Sequence, residues 1–353
     1  MRSLMLRLII SVFMLFPTVQ AKESLDLFKI EKPIEQYNAS DINLYLQQAM
    51  GDLLVRLVGD AEFASASEAQ KFIRNARQWV LRFQLVNREI DGVVMGQSLA
   101  VEFDRNRLLA ELQASGIHIW PLNYRPQTLM LGQWEHMGLR ENISEQSLEY
   151  RIDLDFRGHS RLLGLPVKLP QDSALFELIP SPEVLVNFDL LPTSLLSNIE
   201  FDSPFLFVYK ADQIGQVIRW VWRLYSLNDG ALLLGGEDVG ESFDEMMKLS
   251  LNKLLDFYST PYRQGLGTLG LIEIEVSNIA SYQAFSVLES FMLNLQPIAT
   301  DVRLVGLNKD VIKFEVTYTG QLSNLLDELN KLKLVEWNHQ TLFQGQLKGQ
   351  YQP

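Results

Sequence analysis

Apolar and polar positions alternate most regularly in residues 204–262. Within residues 217–225 every second side chain is apolar, and the positions between carry valines, arginines and a tyrosine. This period of two is typical of an antiparallel strand with one face on a core and one toward water. The predicted core face consists of Ile218, Trp220, Trp222 and Leu224. The Asn-Asp-Gly sequence at residues 228–230 tolerates positive φ, so we predict a hairpin that returns through residues 231–237.

A helix is predicted directly after this hairpin. Ser242 and Glu245 have the spacing of a capping box, in which the first side chain satisfies free amides at the start of a helix. Apolar residues then recur at helical spacing until Pro261 ends the run. They are Phe243, Met246, Met247, Leu251, Leu254, Leu255 and Tyr258. Residues 204–262 therefore predict a sheet with a helix across one face.

The last part of the chain predicts the order β-α-β-β-α-β. The predicted strands are residues 272–276, 302–306, 311–319 and 334–344, and the predicted helices are residues 285–295 and 322–332. This order is that of a ferredoxin-like domain. It is also the order of RNA-recognition modules, and Phe314 and Tyr318 are of the residue type that stacks on bases. Because they share a face with Ile312 and Val316, we expect them in the core.

The first half of the chain predicts further strands and helices. The predicted strands are residues 25–34, 81–90, 97–103, 126–134 and 167–170, and the predicted helices are residues 44–58, 67–79, 105–115 and a segment from Ser144 toward Leu163. Residues 171–203 contain several prolines and show no clear period, so we predict loops with short helical turns there.

The amino terminus has the features of a secretory signal peptide. Arg2 and Arg7 precede apolar residues 8–16, and small residues stand before a cleavage point after Ala21. We therefore expect a secreted, periplasmic protein whose signal peptide is residues 1–21. The apolar run is shorter than the ~20 residues that span a bilayer, and no cysteine is present for acylation, so we expect neither a transmembrane segment nor a lipid anchor.

These patterns divide the chain into five parts. The parts are the signal peptide, an amino-terminal α+β domain, a central α/β domain with the hairpin and the helix, a linker, and a ferredoxin-like domain. They occupy residues 1–21, 22–125, 126–262, 263–270 and 271–353. The predicted fold class is α+β, with two to three small α/β sandwich domains built on mixed or antiparallel sheets.

Composition narrows the functional classes. The 353 residues are 47% hydrophobic, which is sufficient for well-filled cores. The chain contains no cysteine, so disulfides, thiolate chemistry and cysteine metal sites are excluded. The formal net charge is −12, and nucleic acid and anionic lipid both require a basic surface. We therefore expect no nucleic-acid partner.

Each candidate motif for catalysis or cofactor binding lacks a feature that the chemistry requires. Residues 265–270 match G-x-G-x-x-G, but they precede a strand instead of opening a helix, which favours a linker. Asp153, Asp155 and His159 form a compact group of potential metal ligands, although neighbouring arginines make an ion-paired surface the commoner outcome. No serine lies in a nucleophile elbow. We therefore predict no catalytic, cofactor-binding or metal site residues and no cofactor.

Two features indicate binding surfaces. Trp120, Trp134, Trp220 and Trp222 belong either to the core, which is the commoner place for them, or to a ligand groove. Residues 231–236, a strand rich in glycine at its end, could accept a strand of a partner protein at an exposed edge.

Two segments carry a family resemblance. The segment LLVRLVGD at residues 53–60 and the segment RLLGLPVKLP at residues 161–170, followed by the strand with the W-x-W sequence, resemble the DUF2066 family of uncharacterised secreted bacterial proteins. The resemblance implies an envelope location and brings no activity or catalytic residues. Residues 196–258 are also similar in pattern to the α/β domains of TolB amino-terminal and penicillin-binding-protein-activator type envelope proteins, which is an analogy of fold.

Two functional hypotheses follow. The first is a non-enzymatic periplasmic protein of the bacterial cell envelope that binds another envelope protein as an adaptor module, and it is favoured because no catalytic constellation is recognisable. The second is a periplasmic enzyme acting on a cell-wall or polysaccharide component through unidentified carboxylates. Convergent carboxylates with a perturbed pKa in a cleft would favour the enzyme.

Overall fold

A computed structural model describes residues 26–34, 39–90, 93–121, 124–149, 156–198, 203–263 and 269–352. The predicted signal peptide and residues 264–268 of the predicted linker lie outside these ranges. Within the described ranges, no helix is long and apolar enough to cross a membrane. The fold class is α+β, as predicted, and the strands form three separate sheets.

The amino-terminal sheet is antiparallel, with the strand order β1-β3-β2. Its strands are β1 (Lys29–Ile34), β2 (Val80–Ile90) and β3 (Val93–Phe103), and its helices are α1 (Ile42–Val58), α2 (Ser67–Arg74) and α3 (Arg105–Ala114). The apolar stripe of α1 and the inward side chains of the sheet form one buried cluster, which includes Leu53, Leu57, Leu99 and Val101. The predicted helix over residues 67–79 is divided at Asn75, after which residues 76–79 form a 3-10 helix.

The central sheet is mixed, with the order β5-β4-β7-β8-β9 and with β6 beside β4. Its strands are β4 (Thr128–His136), β5 (Leu139–Ile143), β6 (Val167–Lys168), β7 (Phe205–Ile214), β8 (Val217–Ser226) and β9 (Leu232–Gly240). The neighbours β4 and β7 are parallel, and β7, β8 and β9 form an antiparallel meander. The predicted hairpin is therefore β8 and β9.

One face of the central sheet is covered by the predicted helix. This helix, α9 (Phe243–Ser259), begins at Ser242, whose Oγ accepts a hydrogen bond from the amide of Glu245 at 3.1 Å. Its apolar stripe packs on the side chains that the alternation placed toward the core, including Trp220 and Trp222. The shorter helices α4 (Glu145–Glu149) and α5 (Phe156–Leu163) occupy the segment predicted as one helix, and residues 150–155 between them lie outside the described ranges.

The opposite face of the central sheet is covered by three short helices. They are α6 (Ala174–Leu178), α7 (Pro182–Leu185) and α8 (Thr193–Asn198), within the segment predicted as loops and short helical turns. Tyr225 lies on this face of β8, is fully buried, and donates to the carbonyls of Leu185 and Phe188 at 2.7 Å. Part of the face predicted to be solvated is therefore a second, smaller core.

The carboxy-terminal sheet contains the predicted β-α-β-β-α-β order and one additional strand. Its elements are β10 (Leu269–Ser277), α10 (Tyr282–Leu293), β11 (Ala299–Asn308), β12 (Val311–Thr319), α11 (Leu322–Leu329), β13 (Val335–Asn338) and β14 (Gln346–Tyr351). The strand order is β11-β12-β10-β14-β13, so β14 is inserted between β10 and β13 and runs parallel to β10. Phe314 and Tyr318 are buried, as predicted.

The predicted last strand over residues 334–344 differs from the structure. Only residues 335–338 are extended, and His339–Gln344 form a 3-10 helix, which we call the junction helix. Asn338 begins it by accepting a hydrogen bond from the amide of Gln340 at 3.1 Å, and Gly345 ends it with φ +83°. An asparagine and a glycine at these positions are ordinary start and stop signals. The helix between them has only two apolar residues, Leu342 and Phe343, so no helical period was visible in the sequence.

The two segments that carry the family resemblance meet in space. Arg56 of α1 donates from Nε to the carbonyl of Leu162 at 2.9 Å and from Nη1 to the carbonyls of Leu27 and Lys29 at 3.1 and 2.9 Å. Burial lowers the pKa of Arg56 to about 10, although Asp52 and Asp26 oppose this shift. The guanidinium therefore stays charged at neutral pH and joins the amino-terminal unit to the central one.

A second buried arginine extends this connection. Arg125 donates to the carbonyl of Gly164 at 3.0 Å and to the carbonyl of Arg56 at 2.8 Å, and it lies 4.0 Å from the ring centroid of Trp120. Burial, together with the charge of Arg56, lowers the pKa of Arg125 to about 9. Because both guanidinium groups are bound to carbonyls, we interpret the pair as a structural element.

Candidate functional site

A cleft of about 640 Å³ lies where the edge of the central sheet meets the carboxy-terminal part of the chain. Ligand pockets commonly have volumes of roughly 300 to 1,000 Å³. One side of the cleft is formed by β8 and β9, the second by the end of α9, and the third by the junction helix. The residues that line it are Trp222, Leu234, Gly235, Gly236, Lys253, Asp256, Phe257, Thr260, Pro261, Leu342, Phe343 and Gly345.

Two adjacent glycines form the sheet side of the cleft. A Cβ atom at Gly236 would lie 3.0 Å from the indole of Trp222, and a Cβ atom at Gly235 would lie 2.6 Å from Cδ of Arg223 on the opposite face. The two side chains of β8 therefore cover the backbone of β9 from both sides. The glycines are explained by this packing, and because they carry no side chains of their own, the edge of β9 is open to a neighbouring strand at this point.

An ion pair stands beside the tryptophan. Lys253 donates to both carboxylate oxygens of Asp238 at 2.8 and 2.7 Å, and Trp222 donates from Nε1 to the same carboxylate at 2.9 Å. Burial opposes ionisation of Asp238, but the hydrogen bonds from Lys253 and Trp222 and the charge of Lys253 outweigh it, so the pKa of Asp238 lies below its usual value. Asp238 is therefore an anchored carboxylate at neutral pH.

The junction helix supplies the aromatic side of the cleft. Phe343 packs edge-on against Phe205 and Tyr258, with centroid distances of 5.3 Å, and lies 5.5 Å from Phe257. At the β8–β9 turn, Asn228 donates to Gln340 at 2.9 Å, and Gln344 donates to Asp229 at 2.8 Å. These contacts hold the junction helix against the central sheet, so the cleft has defined walls on three sides.

The fourth side is the free edge of β9. Among the described residues, β9 pairs with β8 and with no strand on its other side. Edge strands with unpaired amides and carbonyls are templates for an additional strand unless they are blocked by charge, proline or a covering element. Residues 235–236 lie in the middle of β9, where the cleft opens beside it.

The potential metal ligands singled out in the sequence do not form a described site. Asp153 and Asp155 lie outside the described ranges. His159 Nε2 lies 3.1 Å from Oδ1 of Asp244, and that aspartate also pairs with Lys248 at 2.8 Å. Across the described ranges, no three histidine or acidic residues are grouped as metal ligands would be.

The glycine motif and the tryptophans are also placed by the structure. Gly270 of the G-x-G-x-x-G match is buried within β10, whereas residues 264–268 lie outside the described ranges. Trp120 and Trp220 are buried in the core, and Trp222 lines the cleft while most of its side chain is buried. The sequence did not predict the wall formed by the junction helix, because residues 339–344 were assigned to a strand.

Comparisons with known proteins give a family of unknown function and distant structural similarities. A family model described as a domain of unknown function (DUF8605) matches residues 21–121. No curated protein matches the chain. The LpoB C-terminal domain from Salmonella enterica is 12% identical, with a TM-score of 0.22, over 38% of this chain and 93% of that one.

A formyltetrahydrofolate deformylase from Pseudomonas putida KT2440 is 10% identical, with a TM-score of 0.14, over 66% of this chain and 91% of that one. Neither similarity is strong enough to support an argument about function. The family match is confined to the amino-terminal part of the chain, and the resemblance to the DUF2066 family stays a prediction.

Proposed function

We propose that this protein is a non-enzymatic binding module of the bacterial cell envelope and that it captures an extended segment of another envelope protein in the cleft beside β9. The observation that carries the proposal is the free edge of β9, which opens onto a three-sided cleft at Gly235 and Gly236. The predicted signal peptide supports the envelope location.

The cleft fits an extended peptide because backbone and side-chain recognition are adjacent there. A segment added to β9 would form main-chain hydrogen bonds along the strand, and alternate side chains would point toward the cleft. Leu234, Phe257 and Phe343 offer apolar contact, and Asp256 places an exposed carboxylate at the rim. We therefore expect the bound segment to present at least one large apolar side chain.

The enzyme hypothesis requires a different kind of carboxylate. A general acid acting on a polysaccharide needs a raised pKa, whereas the pKa of Asp238, which binds Lys253 and Trp222 of the cleft wall, is lowered and both its oxygens accept hydrogen bonds. Turnover of purified peptidoglycan that is abolished by Asp238→Asn would replace the binding proposal with the enzyme.

Site-specific photocrosslinking in cells tests the binding proposal. We would place a photoreactive amino acid at Asp256 of α9, an exposed residue that lines the cleft, and at Thr193 of α8 on the opposite face of the sheet. A recurrent envelope protein crosslinked from position 256 and absent from position 193 and from a secreted tag-only control is the expected result. Equal crosslinking from both positions would contradict the proposal.

A blocking variant gives an independent test with the partner in hand. Thr260 is exposed at the mouth of the cleft, so Thr260→Trp should fill it without changing the core, and Thr193→Trp is the matched control. Binding should be lost only in the first variant. When the partner segment binds, amide hydrogen exchange in residues 232–240 should slow, and an unchanged rate there would exclude strand addition.

A further inference from the structure

Two hairpin tips lie side by side at one end of the central sheet. The β4–β5 hairpin turns at Met137 and Gly138, and the β7–β8 hairpin turns at Gly215 and the residue after it. Because β4 and β7 are parallel neighbours with His136 opposite Gln213, both turns project from the same end. This end is remote from the β8–β9 turn that contacts the junction helix.

The two tips carry large apolar side chains that face solvent. Together with one residue near the end of β9 they form a set that we call the apolar apex. Its members are Met137, Leu139, Ile214, Val217 and Val239, with exposed fractions from 46% for Val217 to 85% for Met137. Single exposed apolar residues are ordinary, whereas a group at one end of a sheet indicates an interaction surface.

The apolar apex projects beyond the helices on both faces of the sheet. The first residue of α9, Phe243, contacts Trp134 at a centroid distance of 5.2 Å, and Met137 lies three residues farther along the strand direction, or about 10 Å at the rise of an extended chain. On the other face, Glu183 of α7 pairs with Lys210, and Ile214 lies four residues farther, or about 13 Å. The surface is therefore convex.

Ion pairs, each made of one basic and one acidic side chain, surround the sheet below the apolar apex. Arg140 pairs with Glu135 and Glu183 at 3.0 and 2.9 Å. Arg219 pairs with Glu237 at 3.0 Å. Lys210 also contacts Asp212 at 3.2 Å. The surface is thus apolar at the hairpin tips and carries a belt of paired positive and negative charges closer to the middle of the sheet.

We propose that the apolar apex inserts into the interfacial region of a zwitterionic phospholipid bilayer. A convex apolar surface has no walls to enclose a peptide, but it can enter the boundary between head groups and acyl chains to a depth of about 5 to 10 Å. The belt of both charges complements the phosphate and ammonium groups of a zwitterionic head group, while the net charge of −12 disfavours an anionic surface.

The backbone at the tips is compatible with this environment. Lipid does not hydrogen-bond amides and carbonyls, so a penetrating segment must satisfy them internally. In each hairpin, strand pairing continues to the residues that flank the turn, with His136 opposite Leu139 and Ile214 opposite Val217. The two-residue turns therefore leave little unpaired backbone at the point of insertion.

Vesicle flotation tests the inference without reference to the cleft. The chain lacking its predicted signal peptide is mixed with phosphatidylcholine vesicles, and with vesicles that also contain phosphatidylglycerol. We expect flotation with the first and weaker flotation with the second. Met137→Asp and Ile214→Asp should each lower the partition coefficient about tenfold, since each removes one large apolar side chain from the inserted surface.

The control is Leu178→Asp, which changes an equally exposed leucine on α6, away from the apolar apex, and should partition like the unmodified chain. Thermal unfolding followed by circular dichroism verifies that all three variants remain folded. Equal partition of the apex variants and the unmodified chain, or no flotation at all, would overturn the inference. Self-association that Met137→Asp abolishes, without any flotation, would instead assign the apolar apex to a protein contact.

Discussion

Gly59 combines a backbone constraint with a close approach. Its φ is +78°, and a Cβ atom built on it would lie 2.3 Å from Cβ of Ser259, whose Oγ donates to the carbonyl of Gly59 at 2.5 Å. This single residue therefore ends α1 and places it against the end of α9. No other residue type meets both requirements.

Gly59→Ala should destabilise the protein by about 2 to 5 kcal/mol, since a left-handed backbone costs about 1 to 2 and forced overpacking about 1 to 3. Gly116→Ala is the matched control, because Gly116 has φ +73° and open space around its Cβ position. Gly116→Ala should destabilise the protein only by the cost of the left-handed backbone, about 1 to 2 kcal/mol. Urea unfolding measures both, and equal costs would refute the role given to the close approach.

The ion pair between Asp238 and Lys253 should make the free energy of unfolding depend on pH. The pKa of Asp238 is lower in the folded state than in the unfolded state, where it is about 3.9. The ion pair therefore stabilises the fold fully above about pH 3.9, and this stabilisation is lost as the pH falls through the folded-state pKa. Asp238→Asn should therefore cost about 1.5 to 3 kcal/mol at pH 7 and less at pH 3.

Urea unfolding of both forms at the two pH values measures this difference. Glu237→Gln is the comparison, because Glu237 and its partner Arg219 are each 56% exposed, and it should change stability by less than about 1 kcal/mol. A cost of Asp238→Asn that does not change between pH 7 and pH 3 would contradict the assignment.

At the scale of elements, Arg56 connects α1 to two other segments. Arg56→Met would leave the carbonyl of Leu27 without this donor in a buried environment, and those of Lys29 and Leu162 in partly buried ones, at about 1 to 3 kcal/mol for each orphaned buried acceptor. We expect a loss of at least about 3 kcal/mol, even though the variant also relieves repulsion with Arg125. Arg74→Met, at an exposed position of α2, should change the free energy of unfolding by no more than about 0.5 kcal/mol. Similar losses in the two variants would exclude the connecting role.

The elements differ in how well the sequence predicts them. The β8–β9 hairpin and α9 follow from period, turn residues and a cap, and the structure confirms all three. The short helices of residues 171–203 show no period because each buries only a few side chains, so the burial of Tyr225 beneath them was not predictable. The cleft was missed for a related reason, since its third wall is a six-residue 3-10 helix whose two apolar residues, Leu342 and Phe343, are too few to show a period.

At the scale of the whole molecule, the central and carboxy-terminal sheets share one buried cluster, whereas the amino-terminal unit has its own. Phe343 lies at the junction and contacts Phe205, Phe257 and Tyr258. The domain boundaries predicted at residues 262 and 271 remain a proposal, and the shared core leads us to expect that the parts on either side unfold together.

Fluorine-labelled tryptophan gives at least one probe for each part, since the chain has six tryptophans. Trp79 lies in the amino-terminal core, Trp222 in the central sheet and Trp337 against the carboxy-terminal core. In a urea titration followed by fluorine NMR, Trp222 and Trp337 should lose their native signals at the same midpoint. Phe343→Ala should lower both midpoints together, and separate midpoints for the two tryptophans would show independent units.

The position of β14 has a consequence for the order in which the molecule forms during synthesis. β10 is made first, yet its parallel neighbour β14 is made after every other strand of that sheet, and β13 is held in the sheet only through β14. Because the chain is synthesised from its amino terminus, one edge of β10 has no partner strand until residues 346–351 have been made. This delay leaves the edge of β10 open to pairing with another chain until synthesis of the sheet is finished.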